Sequence, residues 1–237
     1  MVLLPASRRT ILRALTAAVI TFTLLHLGAV LVEYATGDPE YFQRLHLGEI
    51  RRQFDLEQET NLTTWYSSAT LLFCAFLLRT VGRYRQSERD RFAAHWTVLA
   101  CAFVYLSIDE TAMFHEATIA PLQRVFHASG IFFYAWVIIA LPILAAFLIG
   151  YFRFLTSLPR HTLIAFVVAG TVYVGGAIGF EMVEGLIEMQ GGEGGLVMVL
   201  ARACEEIMEM LGVLLFIRAL LDIVQSLPRT AGNLDAI

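Results

Sequence analysis

Long apolar runs alternate with short polar segments along the whole chain. Each apolar run is near or above the roughly 20 residues that a helix needs to cross a bilayer. Because the polar segments are too short to hold another domain, residues 1–237 are predicted to form a single integral membrane domain. The predicted fold class is all-α, a polytopic transmembrane helical bundle of about six spans. The predicted spans are residues 11–35, 61–81, 92–112, 131–155, 162–187 and 195–224.

The composition of the chain favours a membrane location. Hydrophobic residues make up 57% of the sequence and charged residues only 16%, whereas soluble domains are about half apolar and a quarter charged. The first apolar run, Ala14–Val32, has roughly 19 residues and is longer than the apolar core of a cleavable signal peptide. We therefore expect an uncleaved first span, membrane lipid as the surroundings, and no nucleic-acid partner.

The distribution of arginine predicts the orientation of the chain. The sequence contains 17 arginines and no lysine. Most of these arginines lie at the span ends that share a side with the N-terminus, and loops rich in arginine stay in the cytoplasm. The pattern predicts that both termini are cytoplasmic. It also predicts a multi-pass protein of the bacterial-type cytoplasmic (inner) membrane.

The acidic residues are concentrated on the opposite side of the predicted bundle. Some are expected to be ordinary solvated loop residues. The others enter apolar helices, where an ionisable group costs at least ~2.5 kcal/mol at mid-bilayer and usually faces a partner or a cavity. These buried acidic residues are therefore the candidates for function. The expected solvated residues are Asp38, Glu40, Glu49, Asp55 and Glu193.

The third predicted span ends in a cluster of ionisable residues. If the helix continues past Ala112, Asp109 and Glu116 lie on one face at a spacing of seven residues. In that helix, His115 lies roughly 9 Å along the axis from Asp109 and lines the outer entrance. Glu110 adds a second carboxylate at the depth of Asp109.

The fifth and sixth predicted spans carry the remaining deep carboxylates. Glu181 and Glu184 form part of one helical stripe. Like charges one turn apart on the sixth span repel unless a cation, a proton or an arginine intervenes. The sixth span contributes Arg202, Glu205, Glu206 and Glu209.

Polar residues of the first two spans are expected to support this site. His26 and Glu33 lie seven residues apart on one face of the first span. Glu57, Asn61 and Ser68 follow helical spacing into the second span. A convergent polar core is thus predicted from spans one, two, three, five and six.

Carboxylates combined with histidine favour hard or borderline divalent ions. We therefore predict a divalent metal cofactor, which is Mn, Fe, Zn or Ca. The nearest soluble pattern is the carboxylate-bridged dimetal bundle, but the chain contains no Glu-x-x-His motif, so this similarity is partial. The predicted metal residues are Asp109, Glu110, His115, Glu116, Glu181, Glu184, Glu205, Glu206 and Glu209, and Arg202 balances residual charge.

Three classes of function are compatible with these residues. The first is a metal-dependent membrane enzyme, a hydrolase or an oxidoreductase, that acts on a lipid or another hydrophobic substrate. The second is a cation- or proton-coupled transporter. The third is an accessory subunit, with a second copy of the chain or another subunit of a membrane complex as its partner. We favour the enzyme because few polar residues connect the predicted site with the cytoplasmic side.

Overall fold

The computed structural model describes residues 7–192 and 194–228, and the regular structure in these ranges is entirely helical. Twelve helical elements follow one another within these described ranges. They are α1 (Arg8–Thr36), α2 (Tyr41–Arg44), α3 (Gly48–Gln53), α4 (Leu62–Ser87), α5 (Ala93–Ala112), α6 (Phe114–Phe126), a 3₁₀ turn (Gly130–Phe132), α7 (Val137–Ser157), α8 (Arg160–Val174), a π-helical segment (Gly175–Phe180), α9 (Glu181–Met189) and α10 (Leu196–Ser226). The predicted all-helical fold is confirmed.

Three of these helices are long and apolar enough to cross a membrane. They are Arg8–Thr36, Val137–Ser157 and the continuous stretch Arg160–Met189. A fourth candidate span arises if α5 and α6, which meet at an angle of 77°, are counted as one broken span. The described residues therefore contain three to four candidate membrane spans.

Local sequence signals define the ends of the longest helices. At the start of α1, the side chain of Ser7 accepts a hydrogen bond from the Thr10 N–H over 3.2 Å, as expected of an N-terminal cap. At its end, Gly37 adopts φ 63°, a left-handed conformation that a glycine enters without steric cost. The first element thus ends one residue from its predicted boundary.

Two predicted connecting segments contain helices of their own. The residues between the first two predicted spans, 36–60, include α2 and α3. The residues between the third and fourth predicted spans, 113–130, are mostly α6, which begins at Phe114. The fourth predicted span begins later than expected, because Gly130–Phe132 forms a 3₁₀ turn and α7 starts at Val137.

A large apolar cluster holds together one half of the bundle. Trp96 of α5 packs edge-on against Phe154 of α7 and Phe166 of α8, with ring centroids 5.0 and 6.0 Å apart. Phe216 of α10 packs against Phe166 at 4.7 Å. We call this region the apolar half. Its buried residues include Leu71, Leu77, Leu78, Val81, Trp96, Phe154, Phe166, Phe216, Ile217, Leu220 and Leu221.

Glycines allow α8 and the π-helical segment to approach α10 closely. A Cβ atom at Gly212 would lie 2.6 Å from the backbone nitrogen of Tyr173. A Cβ atom at Gly176 would lie 2.8 Å from the carbonyl oxygen of Glu205. Real Cβ atoms do not approach that closely, so only glycine permits this helix spacing. The close approach brings the glutamates of α9 and α10 to the same region.

Candidate functional site

A break between α5 and α6 places a histidine directly against an aspartate. Met113 adopts the left-handed conformation with φ 52°, and its N–H donates to the carbonyl oxygen of Asp109 over 2.7 Å. The chain then turns, so that the His115 N–H donates to Asp109 Oδ1 over 3.2 Å. His115 Nδ1 lies 2.7 Å from Asp109 Oδ2.

The helix ends at Ala112, as the predicted span does, so the condition for Asp109 and Glu116 to share one helical face is not met. The expected axial separation of roughly 9 Å between Asp109 and His115 disappears because the helix ends at Ala112. Glu116 lies in the first turn of α6, where its side chain is exposed, and does not share a helical face with Asp109. A left-handed methionine has no signal in the sequence, since this conformation is uncommon for residues other than glycine and asparagine.

Paired serines join α4 to α5 next to this aspartate. The Ser68 hydroxyl donates to the Ser107 carbonyl oxygen over 2.7 Å, and the Ser107 hydroxyl donates to the Ser68 carbonyl oxygen over 2.9 Å. These reciprocal bonds satisfy both hydroxyl groups within the bundle. They also place the Ser67 side chain beside Glu110. Ser68, predicted as a supporting residue, thus positions the end of α5.

The π-helical segment precedes the glutamate stripe of α9. Glu181 and Glu184 are buried, with 9% and 4% of their surface exposed. Within the described residues, Glu181 Oε2, Glu184 Oε1 and Glu188 Oε2 are buried oxygens without a hydrogen-bond partner. Buried polar atoms nearly always have a partner. Three unsatisfied carboxylate oxygens on one stripe therefore mark a place that water, a proton or a cation would satisfy.

The segment before α7 contributes an aromatic residue, Trp136, next to the same glutamate stripe. Trp136 lies beside Glu181, and its ring centroid is 4.9 Å from the ring of His115. The backbone of this segment is close to α9, because a Cβ atom at Gly185 would lie 2.7 Å from the Gly130 carbonyl oxygen. The segment before α7 thus connects His115 with Glu181.

The α10 glutamates complete the group. Glu205 neighbours Glu184 of α9. Glu206 is near enough to Glu110 for their charges to interact, and Glu209 interacts with Glu110 and Asp109. Carboxyl groups from α5, α9 and α10 therefore face one region. We call it the acidic cluster, which consists of Asp109, Glu110, Glu181, Glu184, Glu205, Glu206 and Glu209.

Arg202 supplies positive charge at one edge of the acidic cluster. Its guanidinium group lies 3.7 Å from Glu184 and 3.6 Å from Glu57. One arginine cannot balance seven carboxylates, and like charges in apolar surroundings repel strongly. The remaining negative charge has to be balanced by protons or by a bound cation.

His26 and Glu33 of α1 contact a different part of the protein, namely the loop that precedes α4. The Leu56 N–H donates to His26 Nδ1 over 3.1 Å, and Asp55 Oδ1 lies 3.3 Å from the same nitrogen. Arg51 binds both carboxylate oxygens of Glu33 at 3.0 and 3.1 Å. Arg51 also pairs with Asp55. These contacts fasten the loop to α1.

The loop also holds the tightest arrangement of potential ligand atoms among the described residues. One ligand atom each from His26, Asp55 and Glu57 lies within 4.8 Å of the other two. Asp55 and Glu57 already pair with Arg51 and Arg202. No other group of three potential ligand residues in the described part of the chain lies this close together. The predicted metal residues are thus neighbours without forming a compact ligand set.

Three residues before α4 differ from the predictions. Asp55, predicted to be solvated, is 8% exposed, whereas the expectation for Glu193 lies outside the described residues. Glu57 and Asn61 do not continue the second span, because α4 begins at Leu62. Asn61 instead caps α4, and its side-chain oxygen accepts from the Thr64 N–H over 3.0 Å. Asn61 therefore has a structural role.

Burial and neighbouring charges shift the pKa values of the acidic groups of this loop in opposite directions. Burial opposes ionisation of Asp55, but contact with His26 and the charge of Arg51 outweigh it and lower the pKa of Asp55. Burial raises the pKa of Glu57, and repulsion by Asp55 adds to this. Burial and the charge of Glu116 raise the pKa of Glu59, which sequence reasoning did not select. Glu59 extends the negatively charged region toward Glu116.

Comparison with known proteins places the chain in a family. Residues 12–224 match the family described as a domain of unknown function (DUF8692). The chain belongs to this family. The match extends from α1 to α10 and includes the whole acidic cluster. No curated protein and no solved structure matches the chain.

Proposed function

We propose that the protein is a metal-dependent membrane enzyme that acts on a lipid or another hydrophobic substrate. The observation that carries this proposal is the convergence of carboxylates from α5, α9 and α10 beside His115, with buried carboxylate oxygens on α9 that lack a partner. A divalent cation would balance these charges and satisfy those oxygens at once.

The proposed membrane arrangement has six spans, formed by α1, α4, α5, α7, the α8–α9 stretch and α10, with both termini cytoplasmic. The 26 residues of α4 and the 31 residues of α10 correspond to about 39 and 46 Å at the helical rise. Both lengths exceed the roughly 30 Å of a hydrocarbon core. The positive-inside rule supplies the orientation and the bacterial-type inner membrane.

The proposed metal ligands are carboxylates of the acidic cluster together with His115. Asp109 contacts His115 Nδ1 at 2.7 Å, which leaves Nε2 as the free ring nitrogen for a metal, in the manner of other carboxylate–histidine pairs. Mixed oxygen and nitrogen ligation suits Mn, Fe, Zn or Ca. Such an ion would polarise a substrate oxygen or activate water.

The apolar half argues for an enzyme over a transporter. A transporter requires a polar path from its ion site to both sides of the membrane. The buried core of the apolar half consists instead of aliphatic and aromatic side chains, among them Trp96, Phe154 and Ile217. Substrate access from one side or from the lipid suits an enzyme.

The decisive experiment measures metal in the full-length protein purified in detergent without chelator. We expect a stoichiometric divalent metal in the wild-type protein, and its loss in the Glu206→Gln/Glu209→Gln double variant. Glu49→Gln is the matched control, because Glu49 is exposed in the short helix α3. Metal at 100 times its Kd should stabilise the wild type by about 2.7 kcal/mol.

The opposite result would indicate that protons, and not a metal ion, balance the charge of the acidic cluster. If the wild-type protein contains no metal and gains no thermal stability from Mn²⁺, Fe²⁺, Zn²⁺ or Ca²⁺, the metal-dependent enzyme is excluded. Equal metal content in the double variant and in the Glu49→Gln control would also contradict the assignment, because the metal would then lie elsewhere.

A further inference from the structure

An apolar cavity, open on one side, lies between α5, α7, α8 and α10, and two of its lining residues, Leu148 and Val167, are 52% and 50% exposed. Its volume is about 530 Å³, which is in the range of small-molecule binding sites. Phe103 of α5, Phe147 of α7, Phe166 of α8 and Phe216 of α10 line it. The hydroxyl of Tyr151, also in the lining, donates to the His95 carbonyl oxygen over 2.9 Å and is therefore satisfied. The cavity offers an occupant almost only apolar contacts.

One end of this cavity reaches the acidic cluster. Gly212 and Val213 of α10 line the cavity, and Glu209 of the acidic cluster lies one helical turn before them on the same helix. Gly175 and Gly179 of the π-helical segment line the same end and present no side chains to fill it. A molecule in the cavity therefore has its apolar part among aromatic rings and its end beside the carboxylates.

The other side of the cavity is covered by a loosely attached helix. α7 makes few close backbone contacts with any other element. Its second half is held by Tyr151 and Phe154, whose rings pack edge-on against His95 and Trp96 of α5. Its first half carries outward-facing apolar side chains such as Ile143, which is 63% exposed. An entrance beside α7 would open toward the hydrocarbon core of the bilayer and not toward water.

We propose that this cavity holds one hydrocarbon chain of a membrane lipid, with the lipid's polar end at the acidic cluster. This inference rests on the proposed function and names its substrate class. An apolar cavity inside membrane-spanning helices is filled by the surrounding medium, and that medium is acyl chains. The aromatic lining and the single polar end also give the chain one orientation.

Photolabelling of the full-length protein in nanodiscs tests the inference. One probe is a phospholipid with a diazirine in an acyl chain, and the other is a free fatty acid with the same group. We expect cross-links at Phe147 and Phe166 in the wild-type protein. Labelling of these two residues by one probe or by both supports the proposed lipid site. The probe that labels them identifies the lipid class that enters the cavity. Labelling confined to outward-facing residues such as Ile149 would overturn the inference, and this readout needs no variant.

A pair of glycine variants gives the matched control. Gly170 lines the cavity and Gly150 of α7 does not, while a Cβ atom at either position meets nothing within 4 Å. Gly170→Leu should reduce cavity labelling several-fold, and Gly150→Leu should leave it unchanged. Equal labelling in both variants would contradict the inference. Metal analysis of the wild-type sample is independent of labelling, so a metal-free protein that still passes the glycine test would refute the proposed enzyme and retain the lipid site.

Discussion

The two halves of the bundle use opposite physical chemistry. In the apolar half, rings such as Trp96 and Phe154 interlock and leave almost no exposed surface. In the acidic half, which contains the acidic cluster, buried oxygens of Glu181 and Glu184 have no partner. The first region is stabilised by apolar packing around the cavity, whereas the buried oxygens of the second need water, a proton or a cation as a partner. We infer that the apolar half maintains the fold and that the acidic half carries the activity.

One helix links the halves. α10 presents Glu205 and Glu209 to the acidic cluster and, two turns later, Phe216 and Leu220 to the apolar core. A rigid helix transmits its position from one region to the other, so packing in the apolar half positions the glutamates. The comparison therefore predicts different results for substitutions in each half.

The largest effect is expected in the apolar half. Trp96 is 1% exposed, and truncating a buried aromatic residue costs about 3–5 kcal/mol because a cavity remains. Trp96→Ala should therefore lower the free energy of unfolding in detergent by about this amount. Ile149→Ala is the control, since Ile149 is 79% exposed. Similar destabilisation by both variants, measured by chemical unfolding, would refute the assigned role of the apolar half.

A smaller effect is expected where backbone packing supports the acidic half. A Cβ atom at Gly176 would lie 2.8 Å from the Glu205 carbonyl oxygen and 3.1 Å from Glu209 Cγ. Gly176→Ala should cost about 1–3 kcal/mol through overpacking and weaken metal binding. Gly179→Ala, in the same π-helical segment, meets nothing within 4 Å and should be tolerated. Thermal unfolding and metal content that do not distinguish the two variants would contradict this prediction.

The smallest effect concerns the pH dependence of the loop between α1 and α4. The pKa of Asp55 is lowered in the folded protein, so its stabilisation is present above its ordinary pKa of about 3.9 and is lost as pH falls through the lowered value. The pKa of Glu57 is raised, so its contribution is present below its ordinary pKa of about 4.3 and is lost as pH rises through the raised value. Together they predict maximal loop stability near pH 4.

Two variants separate these contributions. Asp55→Asn should remove the loss of stability in acid, and Glu57→Gln should remove the loss at rising pH. Limited proteolysis of the loop across this pH range measures both. A wild-type loop whose protease resistance is independent of pH would show that these pKa shifts do not contribute to its attachment.

The sequence was informative where composition alone decides the structure. Its apolar runs of bilayer length predicted an all-helical chain. This is confirmed, with three to four candidate spans in the described residues. The six spans and the cytoplasmic termini remain predictions. The carboxylates of α5, α9 and α10 were selected because charge inside apolar helices is costly wherever the helix lies. Their assignment as metal ligands also remains a prediction.

Other features depended on contacts between distant segments. The left-handed Met113 that turns His115 onto Asp109 is held by a specific turn, and the local sequence contains no glycine to indicate it. Asp55 resembles a solvated loop residue until Arg51 and His26 bury it. Thus the sequence determined which residues are too polar for lipid, because that cost depends on residue type. The tertiary structure decided which of them meet, because distance and burial depend on how the helices pack.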